Sequence, residues 1–115
     1  MPRDFKEYLV DILQTARSIQ NFVSDMTYDD FIADEKTVFA VIQGFEIIGE
    51  AAKNIPKDIT DIYPEIDWSA MSKMRDLLIH HYFGIQHSII WETIKKRIPL
   101  LIEKLPEILK DYGSE

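Results

Sequence analysis

Apolar side chains recur at helical spacing along nearly the whole chain. Phe5, Leu9, Ile12, Ala16, Ile19, Val23 and Met26 step by four and three, which lays one apolar stripe along a helix and leaves its other faces polar. Asp4 followed by Glu7 has the form of an N-terminal capping box and predicts where that helix opens; the stripe predicts that it runs to about Met26. Thr27 and Asp30 repeat the capping pattern ahead of a short turn of helix from Tyr28 to about Ile32, and Asp34 is placed to cap the next long helix. That helix, from Glu35 to about Ile55, carries Val38, Val41, Phe45, Ile48, Ala52 and Ile55 on one face, and Pro56 stops it.

Beyond Pro56 the chain reads as a connection with one short helical turn, punctuated by Pro64. Asp67 can cap a third long helix from Trp68 to about Tyr82, and Gly84 is placed to end it. The last pattern runs Trp91, Ile94, Ile98, Leu101, Leu105, Ile108 and keeps its step past Pro99 and Pro106, which predicts kinked or abutting helices on one face. No alternating apolar pattern of strand length and no internal repeat appears. Four long helical patterns with short connections predict an all-α, up-and-down bundle of four or five helices in a single domain over residues 1–115. Gly44 and Gly49 each cost about 1 kcal/mol against alanine inside a helix, so close approach of a neighbour is the simplest reason for them. Gly49, Ala51 and Ala52 in particular would let the third helix come near. Glu50 and Lys53, three apart, can pair with each other on the surface, or can steady Arg75 on the approaching helix.

Composition narrows the field. A chain of 115 residues suits one domain with a real core. The absence of cysteine removes disulfides, thiolate metal sites and a cysteine nucleophile, and makes a reducing cytoplasm the natural home. No charged-then-apolar leader opens the chain and no apolar run approaches membrane-spanning length, so a soluble protein is expected. Thirteen basic against twenty acidic side chains give a net charge of −7, which argues against indiscriminate binding to DNA or RNA but leaves room for a nuclease with a small basic cleft.

Chemistry concentrates in the third long helix, in the stretch from Met74 to Ile85. On a helical wheel Met71, Met74, Leu77, Leu78, His81 and Ile85 gather within roughly a third of the circumference, the stripe such a helix buries. Arg75 and Tyr82 lie together at one edge of it. Asp76 and His80, four apart, lie together on the far side, where the carboxylate can hold one imidazole nitrogen. Ile79 stands in that polar face and hints that the face meets another surface. Arg75 and His80 are about 140° apart on a straight helix and do not converge on one atom within one chain. Two copies about a twofold axis would bring both pairs into one cleft, so a homodimer is expected.

Arg75, His80 and Tyr82, spaced as Arg-x-x-x-x-His-x-Tyr, resemble the signature of the HepT-like ribonuclease toxins, a branch of the HEPN superfamily. Asp76, a polar residue directly after the arginine, also fits. The run from Ile47 to Lys53, IIGEAAK, resembles the family's Gly-Glu-Ala-Ala-Lys stretch, and GI followed by WETI resembles the continuation after the motif. Gln86 departs from the aspartate the pattern would place at the next helix start, which leaves the capping there in question. The resemblance implies a helical bundle and a toxin-antitoxin system in which Arg75 and His80, supported by Asp76, cut RNA. It also implies a partner, an MntA-type nucleotidyltransferase antitoxin, that attaches AMP to Tyr82 and switches the toxin off.

The residue types suit that chemistry without a metal or other cofactor. Histidine can move protons near neutrality, and arginine can neutralise a phosphorane with its planar fork. His81 on the apolar stripe is expected in or near the core and His87 on the surface. Residues 80 and 81 point to different faces and no carboxylate lies at ligand spacing with them, so a metal site of His80, His81 and His87 is not expected. The rival expectation is a helical adaptor or nucleotide-binding bundle that only accompanies a nucleotidyltransferase, since fold does not settle function.

Overall fold

The computed structural model describes residues 3–80 and 86–113. Within them lie α1 (Phe5–Val23), α2 (Tyr28–Ala33), α3 (Glu35–Lys53), α4 (Lys57–Thr60), α5 (Trp68–His80) and α6 (His87–Asp111), and no strand. The all-α bundle is therefore the observed architecture: four long helices carry it, and α2 and α4 are short pieces within connections. None of the described helices is long and apolar enough to cross a membrane.

The helix starts follow the local chemistry. Asp4 accepts from the Lys6 N–H at 3.0 Å while the Glu7 carboxylate accepts from the Asp4 N–H at 3.1 Å, and Thr27 and Asp30 exchange the same pair of bonds at 3.1 and 3.0 Å. Asp34 takes both the backbone N–H and the hydroxyl of Thr37, and Asp67 takes the N–H of Ala70. Each satisfies donors that the first helical turn leaves open. Gln86 makes no such bond at the start of α6.

Helix ends fall short of the apolar stripe. α1 stops at Val23, three residues before Met26, because Asp25 takes a left-handed backbone (φ 67°) that breaks the helical run, yet Met26 still packs on the core. α3 stops at Lys53, where Asn54 donates back to the Glu50 carbonyl, and Ile55 is buried from beyond the helix end. At the other extreme, Pro99 and Pro106 lie inside one continuous helix of 25 residues, which corrects the expectation of abutting helices. Each proline withholds a single N–H, and the buried Ile98, Leu101 and Leu105 keep the flanking turns on the core.

α3 lies between α1 and α5, α6 packs on α1, and α2 reaches both α3 and α6. Gly44 sits against α1: a Cβ there would come within 2.8 Å of the tip of Ile19. Phe31 of α2 is fully buried with its ring 5.2 Å from that of Trp91, which is itself only half-buried. Tyr63 donates its hydroxyl to Asp111 at 2.9 Å and accepts the Trp68 indole N–H on its carbonyl, tying the connection before α5 to the end of α6.

α5 buries a narrower stripe than expected. Met71, Met74 and Leu78 are buried, but Leu77 is 44% exposed. The reason is that α5 packs on α3 and stands off α6, so Leu77 faces a groove of about 220 Å³ that it shares with Thr93 and Arg97. The expectations for His81 in the core, for Ile85 on the stripe and for Gly84 as the helix end lie outside the described residues.

Candidate active site

α5 rests directly on α3 at Gly49. A Cβ on that residue would lie 2.7 Å from the Met71 carbonyl oxygen and closer still to the Cβ of Arg75, so only glycine allows α5 to rest there. The close approach anticipated from the glycine thus falls at the motif arginine itself. It brings the last two turns of α3 alongside Arg75 and Asp76, and the charged side chains of both helices meet across the contact.

Four of them form a chain. Lys53 donates to Asp76 Oδ1 at 2.9 Å, and the same oxygen accepts from Arg75 Nη1 at 3.2 Å. Arg75 Nη2 lies 3.2 Å from Glu50 Oε1. Arg75 is the least exposed member, its side chain 27% accessible against 58% for Glu50. The hydrogen bond from Lys53, joined by that from Arg75, holds the Asp76 carboxyl below its ordinary value, and partial burial opposes them only in part. The guanidinium is thus gripped at both terminal nitrogens, by a carboxylate from its own helix and by one from α3.

Of the two readings the sequence leaves open for Glu50 and Lys53, the pair with each other is not formed and both reach across to α5, Glu50 to Arg75 itself and Lys53 to Asp76 beside it. Asp76 likewise turns to Lys53 and Arg75, and the expected hydrogen bond from His80 to Asp76 is not formed among the described residues. An ammonium on the neighbouring helix is the stronger partner for a carboxylate than an imidazole one turn along. His80 is the last described residue of α5 and is exposed, as is His87 at the first position of α6. Tyr82 lies outside the described residues. No cluster of three or more histidine, aspartate or glutamate side chains suited to a metal ion is found among the described residues.

Arg75 borders a groove of about 460 Å³ between α1, α3 and α5, with Tyr8, Asp11, Glu46, Ile47 and Ile79 among its walls. Ile47 and Ile79 are 41% and 43% exposed. The apolar residue noticed in the polar face of α5 therefore has an apolar companion on α3, and both stand beside the arginine. The α1 residues of this groove carried no signal in the sequence, since they belong to a helix whose pattern shows only a core stripe.

A family model described as Ribonuclease HepT-like matches residues 12–108, a span holding Gly49, Glu50, Lys53, Arg75, Asp76, His80 and Tyr82. The chain is 46% identical over 116 residues to a protein of Methanocaldococcus jannaschii named "Putative RNase MJ0127", covering 100% of this chain and 96% of that one. It is 46% identical over 110 residues to the "Probable ribonuclease HepT" of Thermococcus cleftensis, covering 96% of this chain and 100% of that one. To "Putative RNase TTE0752" of Caldanaerobacter subterraneus subsp. tengcongensis it is 41% identical over 105 residues, covering 91% and 94%. No solved structure matches. With a helical bundle, a gripped arginine one and a half turns from an exposed histidine, and full-length relatives of this kind, the chain belongs to the Ribonuclease HepT-like family and is a ribonuclease.

Proposed function

We propose that two copies of this chain form a metal-independent endoribonuclease that serves as the toxin of a toxin-antitoxin pair. The observation that carries the proposal is the setting of Arg75: a guanidinium held in place on α5 by Asp76 and Glu50, at the edge of a groove whose exposed Ile47 and Ile79 invite a second surface. A twofold axis at this face would put each copy's Arg75 and His80 near those of its partner, meeting the requirement that one helix alone cannot.

The chemistry follows from the side chains. The ribose 2′-hydroxyl attacks the adjacent phosphorus, an imidazole of His80 removes its proton, and Arg75 neutralises the charge that builds on the phosphoryl oxygens. The bond from phosphorus to the 5′ oxygen breaks, and that oxygen takes a proton from the second copy's imidazolium. The products are a 2′,3′-cyclic phosphate and a 5′-hydroxyl. Asp76, already bonded to Arg75, supports the arginine in this scheme. The chain acts in the cytoplasm, where its substrate is.

Tyr82 is the switch. A partner nucleotidyltransferase transfers AMP from ATP to the tyrosine oxygen, releasing pyrophosphate and the phenolic proton, and the added phosphates block RNA by charge and bulk. Purified wild type, Arg75→Ala and His80→Ala are incubated with total cellular RNA in the presence and absence of EDTA. Wild type cuts equally with and without chelator and leaves cyclic-phosphate ends, while both variants lose on the order of 10²-fold or more. Cutting that stops with EDTA, or that survives in either variant, overturns the mechanism. Mass spectrometry of chain coexpressed with its antitoxin reads the switch, as adenylyl mass on Tyr82.

A further inference from the structure

The two carboxylates on Arg75 are not equivalent. Asp76 is anchored from behind: its Oδ1 accepts from Lys53 at 2.9 Å as well as from Arg75, so it stays where it is whether or not the arginine is engaged. Glu50 has no second anchor. Among the described residues its carboxylate meets only Arg75 Nη2, at 3.2 Å, and its side chain is the more exposed of the two, 58% against 47%. A phosphate needs the same nitrogens in the same planar fork. Of the two groups that hold them, only one is free to leave.

We propose that Glu50 and Lys53 are positioning residues with opposite effects on Arg75: Lys53 locks the guanidinium through Asp76, whereas Glu50 is the exchangeable counter-ion that an RNA phosphate displaces from Nη2. The proposal rests on Arg75 being the phosphate-binding cation. In the free protein the arginine is held and neutralised by its two carboxylates, so it is oriented in advance at little electrostatic cost. On binding, the phosphate takes the place of the Glu50 carboxylate, while the bond to Asp76 keeps the fork pointing at the same spot. Lys53 touches neither RNA nor the reacting atoms in this scheme and acts only through Asp76.

The probe is a fluorescein-labelled RNA oligonucleotide whose 2′-hydroxyls are methylated, so that it binds without being cut, with affinity read by fluorescence anisotropy. KM and kcat are measured beside it on the unmodified RNA. Glu50→Gln is compared with Glu46→Gln, which removes the same charge from the same groove without touching Arg75 in the structure. The exposed contact is worth up to about fivefold in affinity. Glu50→Gln therefore binds two- to fivefold tighter than Glu46→Gln and lowers KM by a similar factor, and the difference disappears when both are placed in an Arg75→Ala background. Lys53→Met lowers kcat more than it raises KM, and Lys53→Arg restores it; circular dichroism confirms that each variant is folded.

Equal tightening by Glu50→Gln and Glu46→Gln, or weaker binding by the former, overturns the exchange. A Lys53→Met enzyme with unchanged kcat overturns the lock. Should Arg75→Ala itself bind and cut as wild type does, the assignment of Arg75 fails and the inference with it. Loss of cutting in Arg75→Ala together with matched Glu50 and Glu46 variants removes the inference alone.

Discussion

Replacing Gly49 by alanine tests whether the seat of Arg75 is set by backbone contact. Alanine gains about 1 kcal/mol of helix propensity at an interior position. Against this stands overpacking, which typically costs about 1–3 kcal/mol. The upper end applies because the added methyl meets the Met71 carbonyl oxygen at 2.7 Å and, closer still, the first side-chain carbon of Arg75. Neither atom can rotate away, so α5 must lift from α3, for a net loss of about 2 kcal/mol. Gly44→Ala is the internal control. Its methyl meets Ile19 Cδ1 at 2.8 Å, Ile19 Cγ1 at 2.9 Å and Thr15 Cγ2 at 3.3 Å, all of them side-chain atoms with no backbone among them, so small side-chain shifts relieve part of the contact and leave a stability within about 1 kcal/mol of wild type. In a chain of this size 1 kcal/mol moves Tm by about 4 °C. Thermal denaturation followed by circular dichroism should therefore show Gly49→Ala melting about 8 °C lower and Gly44→Ala within about 4 °C of wild type. RNA cleavage by Gly49→Ala at 25 °C, where most of it is still folded, should fall further than the lost stability accounts for. A Gly49→Ala protein as stable and active as wild type would refute the seat, and an equal drop in Gly44→Ala would show that any methyl on α3 does the same.

Two further outcomes follow from the geometry. Pro99 is exposed within continuous α6, so Pro99→Ala restores an N–H to the helix without disturbing the core and should raise Tm by about 4 °C or more; a lower Tm would mean the proline shapes the helix. Asp76 has its pKa lowered from an ordinary 3.8 by Lys53 and then Arg75, so its contribution to stability is present in full above that value and is lost only as pH falls through the depressed one. NMR titration of the Asp76 carboxyl should accordingly give a midpoint below 3.8 that rises in Lys53→Met, and a midpoint at or above 3.8 in wild type contradicts the contact.

Much of the bundle was legible because stripe and cap agree: Asp4, Thr27, Asp34 and Asp67 all cap where the pattern places them. Gly49 announced a close contact, since a glycine inside a helix carries a cost that something must offset. Less legible was anything that depends on which helices touch. Leu77 belongs to the apolar face of α5 on any wheel, but a wheel does not say that α6 stands off. Helical spacing points Asp76 to His80 on its own helix, whereas Lys53 lies 23 residues away in sequence and arrives only through the fold. The stripe leaves open whether α6 runs through its two prolines or breaks at them, because long-range packing decides whether a missing N–H ends a helix or is absorbed.

The quartet of Glu50, Lys53, Arg75 and Asp76 carries two positive and two negative charges and so sums to zero, on a chain whose total is −7. Such a cleft exerts no long-range pull on a polyanion. At low ionic strength, with a Debye length of about 30 Å at 0.01 M, the acidic remainder of the chain repels a polyanion such as RNA before it reaches the groove. Moderate salt shortens that reach to about 10 Å at 0.1 M and hides the bulk charge while leaving short contacts at the groove in force. With Arg75 as the proposed phosphate-binding cation, fit against the groove rather than long-range attraction would decide which RNA is held there.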